Sequence, residues 1–192
     1  MKGRVALAGA VLASILVLTG CSSWTSRIAA RSISRLGASV NPPPSVITTP
    51  ILDNPEMAGA WSGHATMLIQ IRDKIFITDP LFTNAVGMIL KRNVQPALDP
   101  ASLAKVDFTL VSHIHFDHFS FGSLDMLPKN GALVIPLGAL RYTPDFGFRE
   151  IREMKPWDEI TEDGVRINAV QVHHLSCRYG IDNAWMRDNG YT

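Results

Sequence analysis

The chain has 192 residues, enough for one domain with a sizeable core, and 46% of them are hydrophobic. A formal charge of +1, with no basic stretch interleaved with aromatics, gives no sign of a nucleic-acid partner. Two cysteines, Cys21 and Cys177, are too few for a disulfide framework.

Residues 1–20 begin with Lys2 and Arg4 and run apolar from Val5 to Leu18. A short basic start and an apolar run too short to span a bilayer comfortably make a secretory signal peptide. Leu18-Thr19-Gly20-Cys21 matches a bacterial lipobox, in which Cys21 becomes the lipidated N-terminus. Cleavage there removes two cations and no acid, moving the formal charge from +1 to −1. Cys177 is then left as a small buried residue. The expected location is the bacterial cell envelope, lipid-anchored outside the cytoplasm on the periplasmic side. Residues 21–56, rich in Ser, Arg, Pro and Thr, read as anchor and tether. Arg27, Arg31 and Arg35 would share one side of a helix beside Ile28 and Leu36. Such a strip is either a contact for anionic headgroups or a solvated linker.

The globular part is expected over 57–192. Ala60-Trp61 reads as a short strand and 62–65 as a tight loop. Strands at 66–71 and 75–78 follow, joined by an Arg72-Asp73-Lys74 hairpin turn. The stretch 83–105 is mixed, with one short helix and a loop. Val106 to Val111 reads as a buried strand, Phe121 to Leu127 as a helix stopped at Pro128, and Ala132 to Pro136 as a strand. Leu137 to Tyr142 is a weak helix and Glu150 to Met154 a short strand. Alternating apolar residues from Arg166 to Val172 predict a strand that delivers His173 and His174 at its end. Asp188-Asn189-Gly190 is a turn signal.

Chemistry concentrates in Ser112-His113-Ile114-His115-Phe116-Asp117-His118, on the loop leaving the strand at 106–111. Side chains two apart in extended backbone point the same way, so His113 and His115 can present imidazoles to one ion. Asp117 and His118, past the bend, can reach a second. Imidazole and carboxylate suit zinc, and also manganese or iron. A histidine from 173–174 would give the first ion a third imidazole, and three protein ligands with an open position characterise catalytic zinc. Such an ion lowers the pKa of bound water to about 7.

These residues resemble the signature of the metallo-β-lactamase fold. Trp61-Ser62-Gly63-His64-Ala65-Thr66, Thr78-Asp79-Pro80, Pro136-Leu137-Gly138 and Trp157 resemble further markers. So do His174-Leu175-Ser176-Cys177-Arg178 and Asn183-Ala184-Trp185. Together they resemble the branch of N-acyl-phosphatidylethanolamine-hydrolysing phospholipase D, with ascorbate-6-phosphate lactonase more distant. The resemblance implies an α/β fold, the metallo-β-lactamase αβ/βα sandwich, here its first half plus a few strands. It implies two zinc ions, the first on His113, His115 and His174, the second on Asp117 and His118. Asp117 would also orient the attacking water or assist the leaving group. The register of Ser176 and Arg178 favours His174 over its neighbour His173. His64 and Asp79 are expected to fix loops or support ligands rather than bind metal.

The family also uses a bridging aspartate after a glycine and a last histidine. This sequence has no Gly-Asp dipeptide, and no histidine follows His174. The expectation is therefore a chain incomplete at its C-terminus, with an apolar sheet face exposed where a second half would pack. The leading functional reading is a metal-dependent hydrolase of a small-molecule or lipid phosphodiester, phospholipids included. The alternatives are a truncated, inactive fragment and an envelope lipoprotein with a vestigial metal site.

Overall fold

The computed structural model describes residues 37–87, 90–162 and 164–174, with 30, 31, 33–35 and 178. The expected signal peptide, lipobox Cys21, Cys177 and the turn at 188–190 lie outside these residues. Among the described residues no helix is long and apolar enough to cross a membrane.

A six-stranded sheet carries the molecule. Strands β1 (Ala58–Gly63), β2 (Thr66–Ile71) and β3 (Lys74–Thr78) form an antiparallel meander. Parallel strands β6 (Phe108–Leu110), β7 (Ala132–Pro136) and β8 (Glu150–Met154) extend it, in the order β1-β2-β3-β6-β7-β8. Between β3 and β6 lie a two-stranded ribbon, β4 (Ala85–Val86) with β5 (Leu90–Lys91), and a 3₁₀ turn at Pro100–Ser102. Helix α1 (Phe121–Asp125) crosses from β6 to β7, and a second 3₁₀ turn, Ala139–Tyr142, lies between β7 and β8. These two 3₁₀ turns stand where the sequence reads as a short helix within 83–105 and a weak one at 137–142.

Side-chain period explains the layering. β2 alternates buried and half-buried residues along its length, as a strand in an antiparallel meander does, whereas every residue of β7 is buried. One sheet face packs Leu68, Ile77 and Leu133 beneath Leu98, Leu103, Phe119 and Leu124 of the crossovers. The other carries Phe76, Phe108, Ala132, Val134 and Met154; the rings of Phe76 and Phe108, paired across β3 and β6, stack at 5.2 Å. Gly131 lets β7 start tight against β6, since a Cβ there would lie 2.0 Å from the Val106 carbonyl oxygen.

Three expectations need correction. Residues 166–172 do not form one strand: β10 (Val165–Asn168) is short and pairs outside the main sheet with β9 (Glu159–Glu162), which has no strong pattern in sequence. This ribbon sets Ile160, Val165 and Ile167 over the Phe76–Phe108 face, so the face expected to be bare is buried or half-buried. The tether, too, ends well before residue 56. Ile47 and Ile51 pack against the Leu68 cluster, the Ile47 N–H donates to the Ala97 carbonyl, and the buried Gln70 amide bonds both backbone groups of Leu52. Burial and hydrogen bonding outweigh the Pro-rich composition that reads as linker.

Candidate metal centre

Two loops meet at the C-terminal ends of β3 and β6, and short polar side chains join them. Thr66, wholly buried, donates from Oγ1 to the Asp79 carbonyl (2.8 Å) and accepts from the Leu81 N–H (3.0 Å). Thr78 donates to the Ala65 carbonyl (2.9 Å). These bonds hold Asp79 in a left-handed conformation, φ 37°, with its carboxylate turned toward the loop after β6.

Asp79 then organises that loop. Its Oδ1 accepts from the Ser112 N–H (2.7 Å), and its Oδ2 accepts from Ser112 Oγ (2.6 Å) and His118 Nδ1 (2.8 Å). Because the Ser112 hydroxyl spends its proton on Asp79, it accepts from His113 Nδ1 at 2.9 Å. The hydrogen bonds thus fix both tautomers, leaving Nε2 of His113 and of His118 as ligand atoms.

The first cluster forms around His113. Its Nε2 lies 3.0 Å from His115 Nδ1 and 3.1 Å from His174 Nε2, with the last two 3.2 Å apart. A tetrahedral zinc, with Zn–N of about 2.0–2.1 Å, sets its ligand nitrogens about 3.3 Å apart. The three nitrogens make one face of such a site, and too few protons are available for all three edges to be hydrogen bonds. The donor set fits a metal ion. Burial first, then repulsion from His118, His115 and His174, lowers the His113 pKa to about 3, keeping it neutral as a ligand must be.

The second cluster is more open. His64 Nε2 lies 3.0 Å from Asp117 Oδ2, which is 3.7 Å from His118 Nε2. Burial works to raise the Asp117 pKa, but the hydrogen bond from His64 and the charge of His118 hold it well below the usual carboxylate range. Burial likewise opposes the charge on His118, yet the hydrogen bond and charge of Asp79 leave its pKa raised. The rings of His113 and His118 are 3.9 Å apart, so the clusters adjoin. Beside them opens a cavity of about 670 Å³, walled by Leu110, Val134, Met154, Ile167 and Val172.

The β-lactamase superfamily domain profile matches residues 75–189, more than half of the chain. This chain belongs to the β-lactamase superfamily. An uncharacterized protein of Mycobacterium tuberculosis is 26% identical over 137 residues, 66% of this chain and 36% of that protein. N-acyl-phosphatidylethanolamine-hydrolyzing phospholipase D 1 of Caenorhabditis elegans is 30% identical over 96 residues, 45% of this chain and 26% of its own. The chain therefore spans well under half the length of these curated relatives. Among solved structures, isothiocyanate hydrolase from Delia radicum gut bacteria matches with a TM-score of 0.52 and 22% identity. That match covers 70% of this chain and 55% of that one, a likeness of fold.

In this superfamily member the fold is the expected β-lactamase-superfamily fold, and the structure brings His113, His115 and His174 together. Of the adjacent pair, His174 joins the cluster, while His173 lines the cavity. Asp79 touches His118 and Ser112 rather than the cluster centres. His64 stands with Asp117 and His118 as one of three converging donors. Sequence reasoning gave Arg178 no structural task, yet it is buried and donates to the Ile114 and Phe119 carbonyls (3.1 and 2.9 Å). Its guanidinium lies over the rings of Phe116 and Phe121, at 4.4 and 4.1 Å. The signal was a lone arginine four residues after His174, with three phenylalanines around the 113–118 loop.

Proposed function

We propose that this chain acts as a metal-dependent hydrolase of phosphodiesters, with phospholipids as the substrate class and zinc as the metal. The observation that carries this reading is the triangle of imidazole nitrogens with edges of 3.0–3.2 Å. When bound, the metal supplies Lewis acidity and a water of lowered pKa. His113, His115 and His174 hold it, and Ser112 and Asp79 fix the His113 ring. Asp117, a carboxylate beside His118, accepts a hydrogen bond from the nucleophilic water and orients it. The apolar walls of the cavity beside His113 suit the hydrocarbon part of a lipid. The phospholipase D named among the relatives supports the same substrate class.

We further propose that lipidated Cys21 holds the chain in the bacterial cell envelope, outside the cytoplasm on the periplasmic side, close to such substrates. Radiolabelled palmitate should enter the wild type and not Cys21→Ser. The test of function is metal content and bis(p-nitrophenyl) phosphate hydrolysis, compared with His115→Ala; equal turnover by the two proteins would sink it. A second reading, a chain that binds metal without turnover, is favoured by the two donor groups, which share no bridging carboxylate among the described residues. Stoichiometric metal with no hydrolysis of any phosphodiester would select that reading.

A further inference from the structure

We infer that His64 is itself a metal ligand, completing with Asp117 and His118 a second cation site of two imidazoles and one carboxylate. This rests on the metal-dependent reading above and goes beyond it. Asp117 and His118 alone offer two donors, fewer than the three protein ligands a zinc with an open position takes. The fold supplies the third from 53 residues upstream of Asp117.

Three features aim the His64 ring at this point. β1 ends in two consecutive residues of positive φ, Gly63 at 120° and His64 at 53°. A left-handed conformation is unusual for a residue with a Cβ and is retained where the surroundings enforce it. The Trp61 indole supplies part of that enforcement, donating from Nε1 to the His64 carbonyl at 2.8 Å. The turn so fixed lays the imidazole over the 113–118 loop, with its Nε2 3.0 Å from Asp117 Oδ2.

The partners are oriented to match. Asp79 occupies His118 Nδ1, so His118 presents Nε2 to the same point, as a metal-bound histidine backed by a carboxylate does. The three ligand atoms all lie within 4.8 Å of one another. Side-chain exposures of 42% for His64 and 35% for Asp117 leave one side open for a water or a substrate oxygen. Imidazole and carboxylate together select a borderline divalent cation such as zinc.

The competing role for His64 is a hydrogen-bond donor that only orients Asp117. His64→Gln separates the two, because the amide still donates to the carboxylate but is a poor zinc ligand. The full-length chain, stripped with chelator and reloaded with Zn²⁺, should hold two equivalents by mass spectrometry, and His64→Gln one, with an unchanged circular dichroism spectrum. In ¹⁵N-histidine protein loaded with ¹¹³Cd, His64 Nε2 should show metal coupling alongside His118 Nε2. Two equivalents in His64→Gln, or coupling at His118 without coupling at His64, would overturn the assignment of His64 and leave the first site standing. A wild type that takes up no metal would overturn the metal-dependent reading itself, and this inference with it.

Discussion

The two histidine clusters share one loop but are built differently. The first is anchored by one buried member, with His115 half-buried and His174 exposed: His113 is only 7% exposed, Ser112 and Asp79 lock its ring, and buried Arg178 ties the backbone around it. The second hangs at the rim, joining the turn after β1 to the last two residues of the 113–118 motif, with half-exposed side chains. A ligand on a packed element costs little further ordering when metal arrives, whereas a rim ligand must be stiffened by its own turn. The first cluster should therefore hold metal more tightly and exchange it more slowly.

Substitutions can sharpen that contrast. The largest effect is expected for His113→Ala, which should remove the tighter metal equivalent and bring phosphodiester hydrolysis to background. Metal analysis after gel filtration checks it. Asp79→Asn should act on both clusters. Asparagine tolerates the φ of 37°, but it cannot accept from Ser112 Oγ, Ser112 N–H and His118 Nδ1 together. Affinity at each site should fall by about 10–100-fold, the usual cost of losing a group that orients a metal-bound histidine. Competition with a chromophoric chelator measures it.

Arg178→Met comes next and should be selective. It keeps an apolar stem against Phe116 and Phe121 but gives up the bonds to Ile114 and Phe119. The first site should weaken by about tenfold, given about 1.5 kcal/mol for a charged hydrogen bond, with the rim site unchanged. Equal weakening of both would show that the arginine supports the whole loop instead. The smallest effect belongs to Trp61→Phe, which removes one exposed hydrogen bond to the His64 carbonyl. It should loosen only the rim site, by about fivefold for about 1 kcal/mol, in the same competition assay.

The two clusters were also unequally legible. His113 and His115 could be read from sequence because a period of two in extended backbone, straight after a buried strand, has one structural meaning. His174 needed the motif around it, since 173 and 174 are adjacent and periodicity does not choose between them. The place of His64 was hidden because it depends on a hairpin register and on positive φ at a residue that is not glycine. Strand β9, with exposed and half-buried residues alternating in a four-residue ribbon, carries too little apolar signal to stand out. The docking of 41–52 was masked by proline, which marks a chain without helix or sheet, not one without contacts. The central strands were plain, because β7 is buried on both sides and reads as an unbroken apolar run.

The carboxylate of Asp79 has a final consequence. It reaches His118 directly and His113 through the Ser112 hydroxyl, so one rigid acid holds a histidine of each cluster. Loading either site fixes that acid and part of the ordering required at the other. Linkage makes the benefit reciprocal: whatever factor the first ion lends the second, the second returns. Uptake should then be cooperative, and steeper with concentration than two independent sites allow, so neither affinity can be retuned by substitution around Asp79 without moving the other.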